Sequence, residues 1–130
     1  CVTLSAYKDI VRVAVDEVAG RVPLFVGAMD TSIVKVMEKI EAMGDAKIDG
    51  VVLTTPFYNA PNDESAIYFF KTIADKSPYP IYIYDLAVTV KYKMTIGVID
   101  ELINETTAKE CAVFCVGFTL MMALDVALGG

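Results

Sequence analysis

Apolar positions recur along the chain in two alternating patterns. Ile10, Val11, Ala14, Val15 and Val18 repeat at helical spacing, with Ser5 as N-cap and Gly20 near the stop. A short β-rich run comes next, Val22-Pro23-Leu24-Phe25-Val26, ended by Gly27. Ile33, Val36, Met37, Ile40 and Met43 then share one face of a second helix, entered through Asp30-Thr31-Ser32 and left at Gly44. The next strand is Gly50-Val51-Val52-Leu53-Thr54-Thr55, closed by Pro56. Asn62 or Asp63 caps a third helix that turns Ile67, Phe70, Ile73 and Ala74 inward. Ser77-Pro78 ends it, because the residue before a proline is pushed out of the helical region. A strand at Ile81-Tyr82-Ile83-Tyr84 and a fourth helix from about Thr95 through Ile99, Leu102 and Ile103 complete the pattern.

The expected strand starts, Val22, Val51 and Ile81, stand 29 and 30 residues apart, and an amphipathic helix follows each strand. This is a βα repeat. Strands such as Val51 to Leu53, apolar without alternation, fit a parallel sheet buried on both faces, and crossovers of this length suit parallel pairing. A closed barrel and an open doubly wound sheet both satisfy the periodicity. Three clear units do not close a ring of eight.

With 130 residues, 55% of them hydrophobic and 22% charged, the chain fills about one domain's core. Seventeen acidic against eleven basic residues give a net charge of −6, a field that repels phosphate backbones and anionic headgroups. Nucleic acid and membrane are therefore not expected as partners. The most apolar stretch, Ala112 to Leu124, is broken by Gly117 and Thr119 and falls short of the roughly 20 residues that cross a bilayer. Three cysteines without disulfide-like spacing suit a reducing compartment, so a cytoplasmic protein is expected. The absence of histidine removes His-dependent triads and most catalytic zinc sites. Cys111 and Cys115 make a poor metal site without further ligands, so none is expected. Gly27, Gly44 and Gly50 form no nucleotide-binding pattern. A start at Cys1 rather than Met, with no signal-peptide pattern, reads as a sequence entered midway.

Three segments are more specific. Ile48-Asp49-Gly50 leads into Val51-Val52-Leu53-Thr54-Thr55-Pro56-Phe57-Tyr58-Asn59-Ala60-Pro61, a strand ending in a Pro-aromatic-Tyr turn. Tyr79-Pro80-Ile81-Tyr82-Ile83-Tyr84-Asp85 lies after it, and Gly20-Arg21-Val22-Pro23-Leu24-Phe25-Val26-Gly27-Ala28 before it. In this order and at this spacing they resemble the dihydrodipicolinate synthase and N-acetylneuraminate lyase family, from Val2 to about Leu102. Val113 to Gly130 looks like a later strand and helix of the same fold. The resemblance implies a (β/α)8 TIM barrel, present here as a single, incomplete barrel domain over residues 1–130. It also implies a class I aldolase that joins or separates pyruvate and an aldehyde through a lysine Schiff base, without metal or organic cofactor, and that works as a homodimer or homotetramer.

Active sites of such barrels lie at the C-terminal ends of the strands, where Tyr58 and Tyr84 stand. A phenol, with an ordinary pKa of about 10, stays protonated at neutral pH and passes a proton when hydrogen bonds orient it. Read from the residues alone, each tyrosine is first an amphipathic aromatic satisfied at a strand end, where tyrosine commonly sits. The resemblance implies that Tyr84 is the acid/base residue and that Tyr58 relays protons across a subunit boundary. Thr54 and Thr55 line the pocket or order the strand end. The family's lysine stands after an apolar run and before an acidic and small residues. Ala108-Lys109-Glu110-Cys111-Ala112 matches the end of that pattern, with Thr106-Thr107 in place of the apolar strand. Lys109 is thus the candidate nucleophile, and a solvated lysine or a junction with omitted residues are the competing readings.

Two features bear on substrate. The family's Thr-Gly-Glu turn, which grips the pyruvate carboxylate, is expected just before Cys1. Thr89 stands where dihydrodipicolinate synthases carry an arginine for the carboxylate of the incoming aldehyde, Ala87 replaces a proline, and no arginine follows Arg21. A 2-keto-3-deoxy acid is therefore the expected substrate. The alternatives are a dihydrodipicolinate synthase proper and a non-catalytic keto-acid-binding barrel.

Overall fold

The computed structural model describes residues 2–56, 61–85, 91–105 and 111–112. In chain order the elements are α1 (Leu4–Val18), β1 (Phe25–Gly27), α2 (Ile33–Met43), β2 (Gly50–Leu53), α3 (Asp63–Lys76), β3 (Ile81–Ile83), α4 (Ile96–Glu105) and β4 (Cys111–Ala112).

Each helix begins where a side chain satisfies an orphan N–H. Thr3, not Ser5, caps α1 by accepting from Ala6 N–H at 3.3 Å. Ser32 accepts from Lys35 N–H, and Asn62 from Ser65 N–H at 2.8 Å. Thr95 Oγ1 takes the N–H of Val98 at the start of α4. Helix α1 closes on Ala19 in the left-handed conformation, φ 47°, one residue before the expected Gly20.

Strand β1 begins at Phe25 rather than Val22. Pro23 has no N–H to give a ladder, and the N–H of Leu24 goes to the Asp49 carboxylate at 2.7 Å. The ladder starts only after these two residues. Strands β2 and β3 stop at Leu53 and Ile83, so Thr54, Thr55 and Tyr84 stand just past the strand ends.

All pairings are parallel, and the strand order is β1-β2-β3-β4, the order of the chain. An open doubly wound sheet reverses its order at a switch point and carries helices on both faces. Here one core cluster joins Val51, Leu53, Ile81 and Ile83 to Val11 of α1, Val36 and Ile40 of α2, Phe70 and Ile73 of α3, and Val98 and Leu102 of α4. Helices therefore cover a single face of a sequential parallel sheet, which is one arc of a (β/α)8 barrel.

Alternation along the strands sets the other face. Val52 and Tyr82 are only half-buried, and Phe25 is 45% exposed. Phe25 and Tyr82 meet edge to face, ring centroids 4.7 Å apart. Gly50, between their strands, leaves the room for this: a Cβ there would overlap the Tyr82 ring. The expected burial of both strand faces thus holds for the helix side alone; the second face is the one a completed barrel would enclose.

Candidate active site

Parallel strands bring their C-terminal ends to one side of the sheet, so the residues just past β1, β2 and β3 form a common rim. The ladder reaches Tyr84, whose N–H donates to Leu53 C=O at 2.7 Å. One step beyond the last paired residues, Leu53 and Ile83, Thr54 and Tyr84 stand next to each other in the register. Tyr84 is half-buried, Thr54 5% exposed and Thr55 2% exposed. The alternation that puts Val52 and Tyr82 on the uncovered face, carried one position past the strands' alternate residues, assigns Thr54 and Tyr84 to that face and Thr55 to the helix side. Of the expected site residues, Tyr84, Thr54 and Thr55 are thus gathered on the rim. Tyr58, Thr89 and Lys109 lie outside the described residues.

Several polar groups on the same rim carry no signal in the sequence pattern. Tyr7 reaches from α1 to donate to Gly27 C=O at 2.9 Å, and burial pushes its phenol up to about 12. Past β1, Asp30 pairs with Lys39 of α2 at 2.9 Å, and Lys39 also donates to Met29 C=O at 2.6 Å. The hydrogen bond from Lys39, seconded by Thr31 N–H, holds the Asp30 carboxyl below the usual carboxylate range. Past β3, Tyr92 donates to Asp63 Oδ1 at 2.7 Å and Thr95 to Oδ2 at 3.1 Å, tying the chain before α4 to the start of α3. Burial first, then Asp63, raises the Tyr92 phenol. Tyr7 and Tyr92 escape a search for apolar periodicity because their partners are distant in sequence.

Among the described residues no group of three or more His, Cys, Asp or Glu comes together, and no helix is long and apolar enough to cross a membrane. The barrel's opposite end holds a depression of about 350 Å³ between the end of α1 and the entry to β2, lined by Val18, Val22, Leu24, Lys47 and Asp49 among others.

Comparison with known proteins converges on one family. The 4-hydroxy-tetrahydrodipicolinate synthase of Nitratidesulfovibrio vulgaris (strain Miyazaki F) is 36% identical over 84 residues, 65% of this chain and 29% of the relative. The matched segment therefore spans less than a third of the length of such curated relatives. Among solved structures, the 4-hydroxy-tetrahydrodipicolinate synthase of the methanotroph Methylacidiphilum fumariolicum SolV superimposes with a TM-score of 0.81 at 19% identity, covering 98% of this chain and 42% of that one. A prophage protein of the dihydrodipicolinic acid synthase family from E. coli K12, solved in complex with pyruvate, gives 0.75 at 24% identity, over 83% of this chain and 36% of its own. Both likenesses carry the barrel fold. With residues 2–113 matching the family as a whole, and a rim built as the sequential βα order requires, the chain belongs to the dihydrodipicolinate synthetase family.

Proposed function

We propose that the protein carrying this chain is a class I lyase that forms or breaks a carbon–carbon bond between pyruvate and an aldehyde. The observation that carries the proposal is the place of Tyr84: at the last ladder bond of β3, beside Thr54, on the rim where barrel enzymes react. In this reading a lysine amine attacks the keto carbon of pyruvate, and the carbinolamine oxygen leaves as water after accepting a proton from the Tyr84 phenol. The resulting iminium takes up the electron pair released in cleavage, or supplies the enamine for addition. Tyr58 relays the proton from a paired subunit, Thr54 lines the pocket, and Thr55 holds the strand end. Lys109 is our candidate for the amine. The protein works in the cytoplasm as a dimer or tetramer of one barrel domain per chain.

For the second substrate we favour a 2-keto-3-deoxy acid. Thr89 lacks the guanidinium that would recognise a carboxylate on the incoming aldehyde. The competing reading, a 4-hydroxy-tetrahydrodipicolinate synthase, is favoured by the names of the relatives. Turnover of a hydroxylated aldehyde against one bearing a carboxylate separates the two.

Borohydride reduction in the presence of pyruvate tests the chemistry. The expected result is one stable pyruvyl adduct on one lysine, located by peptide mass. An intact mass unchanged after reduction rules out the Schiff base and leaves a keto-acid-binding barrel.

A further inference from the structure

Residues 91–95 lead the chain from the β3 side of the rim into α4, and a carboxylate of another element holds them. Asp63, in the first turn of α3, accepts the Tyr92 hydroxyl on Oδ1 at 2.7 Å and the Thr95 hydroxyl on Oδ2 at 3.1 Å. A carboxylate can accept on both oxygens, and a hydroxyl bond to an ionised oxygen is shorter and stronger than one between neutral groups. The start of a helix also favours the negative charge that this acceptor needs. Thr95 uses its hydroxyl twice, since the same oxygen accepts Val98 N–H at 3.4 Å at the start of α4. Asp63 therefore joins the start of α3 to the start of α4 through two donors.

The segment so held is locally strained. Lys91, just before Tyr92, has φ 55°, a left-handed conformation that a residue with a side chain adopts at a cost and keeps where its surroundings impose it. Met94 is an apolar anchor in the core cluster, but Lys91, Lys93 and Thr95 are exposed and Tyr92 is half-buried. Burial thus leaves the orientation of the segment to the Asp63 bonds. Tyr84 has a separate tether, its N–H on Leu53 C=O at 2.7 Å. The stretch from Tyr84 to Tyr92 is fixed at its near end by the ladder and at its far end by Asp63. In sequence Thr89 lies between them, and the lyase reading sets Thr89 against the aldehyde.

We propose that Asp63, Tyr92 and Thr95 are positioning residues for the second substrate of the proposed lyase: they fix the return of the chain that leaves Tyr84, while the ladder fixes Tyr84 itself. Breaking the tie should weaken use of the aldehyde and spare Schiff-base formation with pyruvate. The link to the aldehyde rests on the lyase reading; the tie itself does not.

Two measurements on the full-length protein read the two parts separately. Lys91 and Lys93 flank Tyr92 and offer trypsin bonds that it cuts when the segment opens. Tyr92→Phe, which removes one hydroxyl, should speed cleavage there about tenfold, the size of one hydrogen bond to a charged acceptor. Asp63→Ala should do at least as much, and the double variant should be cut no faster than Asp63→Ala alone. Thr95→Ser keeps the hydroxyl and should match the parent. For function, KM is measured with pyruvate and the better substrate of glyceraldehyde and succinic semialdehyde. Tyr92→Phe should raise the aldehyde KM about tenfold, with kcat and the rate of borohydride-trapped pyruvyl adduct within about twofold of the parent. Parent-like cleavage or aldehyde KM in Tyr92→Phe, additive effects in the double variant, or trapping that slows in step with the aldehyde KM would overturn the proposal. So would a parent that forms the adduct and turns over neither aldehyde. If the parent forms no adduct while the cleavage pattern holds, the lyase reading falls and takes the aldehyde link with it, and the tie stands.

Discussion

Lys39 illustrates how one residue is placed by chemistry that periodicity does not report. In the sequence it is a polar position on an amphipathic helix; in the fold its amine joins Asp30 and Met29 C=O past the end of β1. Both side chains retain about a quarter of their exposure, so the pair is worth at most about 1 kcal/mol. The Asp30 carboxyl is lowered on folding, so its contribution is present above the unfolded value and lost as pH falls through the folded one. Lys39→Met should flatten the acid side of the stability profile, measured by urea unfolding between neutral pH and pH ~3, and change little at high salt. An acid limb as steep as that of the parent would show that Asp30 draws its shift from elsewhere. Thr54 and Tyr84 were legible at this scale because both close a strand that composition already marked. Tyr92 was not, because its partner Asp63 stands 29 positions earlier in the chain.

Helices read more truly than strands, for a physical reason. A helix spreads its signal over several turns, so Val36, Ile40 and Met43 of α2 and Phe70, Ile73 and Ala74 of α3 are buried as their spacing required. Even so, Ile10 and Ile103, placed on core faces by period, stay more than half exposed, while Ala66 and Phe69 are buried beside the expected positions. A three-residue strand carries too little pattern to fix its ends. For β1, the displacement from Val22 to Phe25 is due to Pro23 and to Asp49, a residue 25 positions away from Leu24. The sheet's uncovered face yields a sharper prediction. Gly50→Ala would drive a methyl into the Tyr82 ring, itself held by Phe25, and should cost about 1–3 kcal/mol by denaturant unfolding. In a Tyr82→Leu background most of that cost should disappear; an equal cost in both backgrounds would place the strain in the backbone instead.

For the molecule as a whole, strand order decided between the two architectures that period left open. Four strands paired in chain sequence, with helices on one side, build part of a ring and leave an apolar inner wall at Phe25, Val52 and Tyr82. The order was not readable beforehand because barrels and doubly wound sheets repeat the same βα unit. The two sides of the sheet divide the labour: the helix side supplies rigidity, and the strand ends carry the proposed chemistry. In the proposed lyase, turnover therefore depends on the Tyr84 hydroxyl as the proton donor of that rim. Steady-state kinetics of Tyr84→Phe with pyruvate and the aldehyde tests this most directly. Loss of a positioned acid/base group should lower kcat by about 10²–10⁴-fold with KM little changed. A kcat within about threefold of the parent would contradict the assignment.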